Sequence, residues 1–343
     1  MPGIGIIGTG WGARIQVPAF RSAGLNVVAL VGSQAAKTAQ IAGELGVPWH
    51  GENWRDLIAH PQVDVVSIVT PPALHCEMTL AALEAGKHVV CEKPTALDAG
   101  EADMMLKAAL AHPDLFTLID HELRFLPAMR HARDLIAQGR IGTVRHAELR
   151  SVNSSRSDLK RPWNWWSDAL QGGGVLGAIG SHQIDLLRYL IGDEVSAASG
   201  TTHTFVNERS DATGQARPVT ADDYMAATLR FVHGASAVIM ATTVATHDEP
   251  NSVTIYGSAG ALRFFDGKLW HNPGSGFVDV TPPHSRSFPA GIVGDFPQGT
   301  VYLGAALVAA LAGDVRALDP AATFADGLAS QRVLDAIRAG AGR

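Results

Sequence analysis

The sequence contains little cysteine, little charge and no long apolar run, and each shortage excludes a class of protein. Two cysteines, Cys76 and Cys91, among 343 residues cannot build a disulfide framework, and neither lies in the spacing of a zinc site. No window reaches the roughly 18 uninterrupted apolar residues that a membrane-spanning helix needs. We therefore expect a cytoplasmic protein that binds no metal and does not contact a membrane.

The charge balance argues against nucleic acid as a partner. Charged residues make up 17% of the chain, below the roughly 25% of average soluble domains. The 27 Lys and Arg residues against 33 Asp and Glu give a formal net charge of −6, whereas proteins that bind phosphate backbones carry a basic surface. The 46% of hydrophobic residues predicts extensive burial, in the core and between subunits, and the length fits about two domains.

The first 120 residues alternate short apolar runs with helical patterns. The runs are GIGII (3–7), VVALV (27–31), VDVVSIV (63–69), KHVVCE (87–92) and FTLID (116–120). Apolar runs without polar alternation are typical of parallel strands that helices cover on both faces. We therefore predict a doubly wound parallel α/β sheet in a first domain, residues 1–122.

The pattern changes after residue 122. TLRFV and ASAVIMATTV, joined by a His-Gly turn, predict an antiparallel hairpin. Helices are predicted over 127–138, about 180–191, 300–312 and 325–338. We expect a second domain of the α+β type, residues 123–343, which binds the substrate and forms the oligomer.

A glycine-rich turn follows the first predicted strand. It has the form Gly8-x-Gly10-x-x-Ala13, with Trp11 and Gly12 inside it. Glycine allows a tight turn and a close approach of the main chain to a pyrophosphate, and the following helix offers free N–H groups. We predict that this turn binds a dinucleotide; the alternative is a purely structural glycine turn.

The second predicted strand ends without an acidic residue. An NAD-selective fold usually places Asp or Glu there to bind the ribose hydroxyls, but this chain has Gly32, Ser33 and Gln34, with Lys37 soon after. Ser33 can donate a hydrogen bond to a 2′-phosphate and Lys37 can supply positive charge. We therefore predict NADP(H), with NAD(H) as the alternative cofactor; Lys37 could instead be an ordinary solvent-facing residue.

Two further strands end in polar clusters, VSIVTPPALH (66–75) and VVCEKPTAL (89–97). Ligands of open parallel sheets bind beyond the carboxyl ends of the strands, so one crevice is expected to collect Thr70, Pro71, Pro72, His75, Glu92, Lys93 and Pro94. Burial of a lysine is costly without a purpose, and we predict that Lys93 is catalytic or orients the substrate. The alternatives are a structural salt bridge for Lys93 and packing at a helix start for His75.

These motifs resemble the Gfo/Idh/MocA family of oxidoreductases. The resemblance rests on the glycine-rich turn, TPPALH, AALEAGKHVVCEKP, RFLPAM, GRIG and GGGVLGAIGSHQIDLLRYLIG (172–192). It implies an N-terminal Rossmann domain and a C-terminal α/β domain with a large, mostly antiparallel sheet, whose outer face often makes homodimer or homotetramer contacts. It also implies a carbohydrate-like small-molecule substrate, such as a sugar or polyol, oxidised or reduced with a nicotinamide cofactor.

By this resemblance, Lys93 is the lysine of the EKP motif and His182 is the acid/base at the substrate oxygen. Asp185, one helical turn after His182, could orient the imidazole or form an ordinary helix-face pair. Many family members carry Asp four residues before the histidine, where this chain has Ala178. Either Lys93 and His182 suffice, or another carboxylate such as Asp168 enters the site, or the reaction differs from polyol oxidation.

Three tryptophans precede the glycines of the second motif, at Trp163, Trp165 and Trp166. Aromatic faces pack against sugar rings, so they are candidates for a substrate wall, and packing in a core or interface is an equal alternative. Arg124 is a candidate for gripping an anionic substrate.

Two other functions remain open from the sequence. Some family members cleave glycosides through transient oxidation, with no net change of the nicotinamide. A non-catalytic NADP(H)-binding protein is the other possibility, and Ala178 lends it weight.

Overall fold

The computed structural model describes residues 2–341, which divide into two compact units. Unit 1 comprises the residues up to Ala96, Gly100–Leu126 and His284–Leu328, and unit 2 comprises Leu97–Ala99, Pro127–Pro283 and the residues from Ala329 onwards. The predicted boundary between residues 122 and 123 differs from this division, because a long C-terminal segment packs into unit 1.

The described chain contains both parallel and antiparallel strands. In chain order the strands are β1 Gly3–Ile7, β2 Asn26–Val31, β3 Trp49–Gly51, β4 Val65–Ile68, β5 His88–Cys91, β6 Thr117–Ile119, β7 Val144–Val152, β8 Val195–His203, β9 Glu208–Ser210, β10 Ala216–Pro218, β11 Tyr224–Phe231, β12 Ser236–Thr242, β13 Ser252–Gly257, β14 Ala261–Phe265, β15 Lys268–Asn272, β16 Val278–Asp279 and β17 Ala322–Thr323. The α-helices are α1 Val17–Ala23, α2 Ala35–Leu45, α3 Trp54–Ile58, α4 His75–Glu84, α5 Ala99–Ala111, α6 Pro127–Ala137, α7 Ser181–Ile191, α8 Asp295–Leu311 and α9 Phe324–Ala341.

Unit 1 is built on a seven-stranded sheet in the order β17-β6-β5-β4-β1-β2-β3. Strands β1 to β6 pair in parallel, and β17 pairs antiparallel with β6. The order reverses between β1 and β4, and open α/β sheets bind ligands at such a reversal, beyond the carboxyl ends of the strands. The predicted doubly wound parallel sheet is confirmed.

The core of unit 1 explains why the C-terminal segment belongs to it. Leu303 and Leu307 of α8 are buried in one cluster with Ile4 of β1 and Phe20 of α1. A Cβ added at Gly304 would come within 2.9 Å of Phe20 Cδ1, so glycine permits the close approach of α8 to α1. The apolar face of α8 therefore completes a core that the first 126 residues leave open.

Unit 2 is built on an eight-stranded sheet in the order β16-β15-β14-β13-β7-β12-β11-β8. Among its described strands only β7 and β12 pair in parallel. The predicted hairpin is β11–β12, with Leu229 opposite Ala237, and alternate residues of β11 are buried, as expected for a strand that packs on one face. The large, mostly antiparallel sheet is confirmed.

Two short π-helical turns each lead into an α-helix. Gly12–Gln16 precedes α1 in unit 1, and Leu176–Gly180 precedes α7 in unit 2. Such turns occur frequently at functional sites, because the extra residue changes the direction of the side chains. Within residues 2–341, no helix is both long enough and apolar enough to cross a bilayer.

We expect Leu307→Ala to lower the free energy of unfolding by about 3 kcal/mol, because it opens a cavity in the core of unit 1. Leu307 is 0% exposed, and the control Leu110→Ala removes the same atoms from a side chain that is 71% exposed. Urea denaturation measures both variants. Equal stability of the two would mean that α8 contributes nothing to this core.

Candidate active site

The turn after β1 contains glycines of two kinds. At Gly8 φ is +134°, and an added Cβ would lie 2.1 Å from the carbonyl oxygen of Val69, so packing itself demands glycine. At Gly10 an added Cβ would meet nothing within 4 Å, and the residue is exposed. Packing does not require glycine at that position, which instead leaves the main chain open to a close approach by a phosphate.

The other predicted residues of this turn support its shape. Gly12 is buried, and a Cβ there would come within 2.7 Å of Ile6 Cγ2. Ala13 belongs to the core of unit 1, and Trp11 is half-buried at the start of the helical segment. The turn is therefore held from inside by Gly12 and Ala13 while its outer rim is exposed.

The first position after β2, Gly32, has no room for an acidic side chain. A Cβ at Gly32 would lie 2.6 Å from Thr9 Cγ2 and 2.7 Å from Thr38 Oγ1. Ser33 and Lys37 are both exposed. Exposed groups can reach a ligand; the segment between β2 and α2 offers the hydroxyl of Ser33 and the first turn of α2 offers the amine of Lys37, and neither contains a carboxylate.

His75 joins the ends of β4 and β5 from the interior. Its Nδ1 lies 3.0 Å from the carbonyl oxygen of Pro94 and its Nε2 lies 3.0 Å from that of Thr70. Burial lowers the pKa of the His75 imidazole to about 4, so at neutral pH the ring carries one N–H proton and donates to one of the two carbonyls. His75 therefore fixes the two loops, and both ring nitrogens face the protein rather than a ligand.

The remaining predicted residues of these loops lie on either side of His75. Pro72 is buried and begins the 3-10 turn Pro72–Leu74, whereas Thr70 and Pro71 are half-buried. The Lys93–Pro94 peptide bond is cis, and both Glu92 and Lys93 are half-buried. The predicted cluster at the carboxyl ends of β4 and β5 is thus assembled within unit 1.

Sequence reasoning missed a polar network beneath this edge. Gln16 is buried, and its Nε2 donates to Glu92 Oε1 at 3.2 Å and to Asp120 Oδ2 at 2.9 Å. Its Oε1 accepts a hydrogen bond of 2.6 Å from Ser67 Oγ. Three segments of the chain therefore converge on the amide of Gln16, and the three partners are far apart in sequence.

A third carboxyl group, Glu122, lies beside this network. Burial first, and then the neighbouring Asp120, raises the pKa of Glu92 well above its usual range. Burial raises the pKa of Asp120 to about 6, although Glu92, Gln16 and the charge of Lys93 lower it. The pKa of Glu122 is also raised well above its usual range, by burial and by both other carboxyls. Lys93 is the cation that lowers all three values.

In unit 2, His182 is the second residue of α7 and is 4% exposed. The π-helical turn before it contains Ala178, which is buried, so this position carries no carboxylate. Asp185 lies one turn after His182, with its Oδ1 3.9 Å from an Arg188 nitrogen. Arg188 also donates to both oxygens of Glu194, at 2.8 and 2.6 Å. Asp185 and Arg188 thus form an i,i+3 ion pair within α7, and orientation of the His182 imidazole by Asp185 stays a prediction.

Two other carboxylates lie near the turn that precedes α7. Asp168 accepts hydrogen bonds from the main-chain N–H of Leu170 and from Gln171 Nε2, at 3.0 and 3.3 Å, and so stabilises its own turn. Asp222 accepts from the N–H of Leu176 at 2.8 Å, and burial raises its pKa to about 6. Sequence reasoning named Asp168 and missed Asp222, whose one signal is its place in an Asp-Asp pair.

The tryptophans of unit 2 already have partners there. Trp163 Nε1 donates to the carbonyl oxygen of Pro218 at 3.0 Å, and the Arg217 guanidinium stacks 3.8 Å from the Trp163 ring centre. Arg156 stacks 3.9 Å from the ring centre of Trp166, which itself contacts Trp165. These contacts support the packing alternative, and a substrate wall stays a prediction.

Arg124 makes structural contacts within unit 1, and its contact with substrate stays a prediction. It is 5% exposed, and its guanidinium pairs with Asp326 Oδ1 at 3.1 Å and donates to the carbonyl oxygen of Ala321 at 3.4 Å. A guanidinium in a buried ion pair is costly to redirect. Arg124 therefore holds the C-terminal segment within unit 1.

The three carboxyl groups of Glu92, Asp120 and Glu122 cluster in unit 1, but they are not arranged as metal ligands. Among residues 2–341, no group of three or more His, Cys, Asp or Glu side chains is placed to hold a metal ion.

Comparison with known proteins gives matches along nearly the whole chain. The family model of oxidoreductases with an NAD-binding Rossmann fold matches residues 3–118. The family model of the GFO/IDH/MocA C-terminal domain matches residues 129–263. The glucose-fructose oxidoreductase domain-containing protein 2 of Xenopus laevis is 32% identical over 98% of this chain and 91% of its own length.

Solved structures give the same result. An oxidoreductase domain protein from Kribbella flavida has a TM-score of 0.86 and 31% identity, covering 100% of this chain and 98% of that one. A levoglucosan dehydrogenase in complex with NADH and L-sorbose has a TM-score of 0.88 and 27% identity, covering 100% and 97%. The parallel sheet and the mostly antiparallel sheet of this chain therefore both match those of known oxidoreductases.

We expect Asp120→Asn to raise the free energy of unfolding at about pH 8 by as much as about 3 kcal/mol, because it removes a buried charge. Since the folded-state pKa is raised to about 6, the penalty is complete above that pH and disappears below about pH 4, where the carboxyl is protonated in both states. Urea denaturation at the two pH values measures the difference. An equal change in the free energy of unfolding at both pH values would contradict the raised pKa of Asp120. Asp114→Asn, at an exposed position, is the control.

Proposed function

The chain belongs to the Gfo/Idh/MocA family of oxidoreductases, and from this premise we propose that it transfers hydride between a nicotinamide dinucleotide and a carbonyl or hydroxyl carbon of a carbohydrate-like small molecule. The observation that carries the proposal is the position of Lys93, which follows β5 on the same sheet edge as the open turn at Gly10. An amine at that edge lies where open parallel sheets bind their ligands.

The residues of unit 1 would hold the dinucleotide in a simple arrangement. The main chain around Gly10 and the start of the helical segment at Trp11 and Gly12 would bind the pyrophosphate. Thr70, Pro71, Pro72 and Glu92 would border the nicotinamide, and His75 would keep their loops in place. When bound, the cofactor supplies or accepts the hydride.

Two side chains act on the substrate oxygen in this proposal. In the reductive direction the ammonium group of Lys93 donates a hydrogen bond to the carbonyl oxygen and stabilises the negative charge that develops there. His182 delivers the proton that completes the hydroxyl group, a role that suits imidazole because its ordinary pKa is near 6.5. Oxidation reverses both steps, and Asp185, one helical turn after His182, orients the imidazole.

For the cofactor we propose NADP(H) in preference to NAD(H). Gly32 has no space for a side chain, so the acidic residue that would bind the ribose hydroxyls of NAD(H) is absent from this position. Exposed Ser33 and Lys37 provide a hydrogen-bond donor and a positive charge for a 2′-phosphate. The NADH bound to the levoglucosan dehydrogenase makes NAD(H) the alternative that the experiment must test.

Ala178 favours a second candidate, a dinucleotide-binding protein without turnover, because the turn before His182 lacks the carboxylate that many family members carry. A panel of sugars and polyols separates the two candidates. Tight cofactor binding without oxidation or reduction of any member would favour the second.

Lys93→Met is expected to lower kcat by at least about 100-fold, because the charge that stabilises the reacting oxygen is lost. The absorbance of the reduced nicotinamide measures turnover, and calorimetry should find cofactor affinity largely unchanged. Lys107→Met removes an amine from a side chain that is 73% exposed and serves as the control. Turnover by Lys93→Met at the wild-type rate would remove Lys93 from the mechanism.

Ser33→Asp is expected to weaken NADP(H) binding by at least about tenfold and to strengthen NAD(H) binding, because the new carboxylate repels a 2′-phosphate and accepts from ribose hydroxyls. Calorimetry with both cofactors measures the change. Gln62→Asp adds the same charge at an exposed position next to the amino end of β4 and should leave both affinities unaltered. Tighter binding of NAD(H) by the wild-type protein would reverse the proposed preference.

A further inference from the structure

We propose that Glu92 and Asp120 act as a single carboxyl pair that holds one shared proton and sets the charge beside Lys93, with Asp120 as a positioning residue for the reaction. The inference rests on the proposed function, because it assigns Asp120 a role through Lys93. Its geometric basis, however, lies wholly within unit 1.

Gln16 fixes the two carboxyl groups relative to each other. Its Oε1 accepts from Ser67 Oγ at 2.6 Å, which leaves both hydrogens of Nε2 directed away from Ser67. These hydrogens go to Glu92 Oε1 at 3.2 Å and to Asp120 Oδ2 at 2.9 Å. One amide thus holds two carboxyl oxygens side by side, and Gln16 itself is fully buried.

Two acidic groups held around one buried amide compete for a proton. Glu92 and Asp120 both accept from the same Nε2 of Gln16, at 3.2 and 2.9 Å, so their carboxyl groups lie close together. Like charges at such a distance, away from water, cannot both be ionised. The pair therefore carries one proton and one negative charge, as other closely spaced carboxyl pairs do.

The surroundings determine when this charge is present. The charge of Lys93 acts on both carboxyl groups of the pair, and the pair in turn acts on Glu122 and on the Cys91 thiol. Burial raises the pKa of Glu122 and that of Cys91, and buried His121 lies between Asp120 and Glu122 in the chain. Lys93 is thus the opposite charge of the pair. Because burial raises the pKa of Asp120 to about 6, the second proton binds below that pH and the pair becomes neutral.

The pair connects pH to the position of Lys93. Above about pH 6, one negative charge attracts the ammonium group and holds it on the sheet edge. Below that pH the attraction is lost, and Lys93 is held less firmly for its hydrogen bond to substrate. A misplaced catalytic group costs turnover more than substrate binding.

The experiment compares kcat and KM from about pH 5 to about pH 8, with saturating cofactor, in the wild type, Asp120→Asn and Glu92→Gln. The wild type should lose activity as the pH falls through about 6. Asp120→Asn should lose at least about tenfold in kcat at about pH 8, with a smaller change in KM. Its acidic limb should disappear, because burial favours the neutral form of the Glu92 carboxyl group that remains and no charge of the pair is left to titrate.

Glu92→Gln should change the profile in the opposite sense. In this variant Asp120 is the carboxyl group that remains and it keeps the one negative charge. Because no second acid lies beside it, the acidic limb moves to lower pH. A purely structural role for the pair would give lower activity in both variants with an unmoved limb, and that result would overturn the proposal. Asp114→Asn, on the exposed surface, should retain the wild-type profile.

Infrared spectroscopy tests the pair without any turnover. In the wild type, the carbonyl band of protonated carboxylic acids should lose the intensity of one carboxyl group as the pH rises through about 6. Asp120→Asn should lack this change. If no substrate is turned over but this titration is found, the proposed function fails and the shared proton stands. If substrate is turned over and the titration is missing, the pair is refuted and the proposed function stands.

Discussion

Six strands run in the same direction through the sheet of unit 1, so their carboxyl ends, and the residues that follow them, meet along one edge. The open glycine turn follows β1, the hydroxyl of Ser33 follows β2, and Lys93 follows β5. Asp120 follows β6 on the same edge. Parallel pairing alone assembles these groups, because each crossover returns the chain to the opposite edge before the next strand begins.

Assembling charge at a buried edge works against stability. Burial is the first cause that raises the pKa of Glu92, Asp120 and Glu122, and among residues 2–341 Lys93 is the cation that lowers all three. Replacing such a cluster by apolar residues of similar size often stabilises a protein. Its retention beside the predicted cofactor site fits the general pattern that strained or costly groups are concentrated where function needs them.

Local sequence signals predicted the parts of the site that depend on short spacing. The turn at Gly8 and Gly10, the EKP lysine and the helix that carries His182 each occupy one continuous segment. The partners of Gln16 could not be predicted in this way, since they come from three other strand ends and one of them, Asp120, is 104 positions away. The same limit applies to α8, whose leucines fill a core formed mostly by the first third of the chain, and to Arg124, whose partner Asp326 is 202 positions away.

The turn before His182 shows how a fold can keep its shape when an expected carboxylate is absent. Ala178 contributes only a methyl group there, but Asp222 accepts the N–H of Leu176 at the first residue of the π-helical turn. A carboxylate near the N-terminus of a helical segment satisfies an N–H group that has no partner within the helix and interacts favourably with the helix dipole. An added Cβ at Gly174 would come within 2.6 Å of Asp222 Oδ1, so glycine at this position makes room for Asp222 to approach. Gly174 and Asp222 therefore act together to hold the turn that leads into α7. His182, the second residue of α7, is thus held in place without an acidic group at position 178.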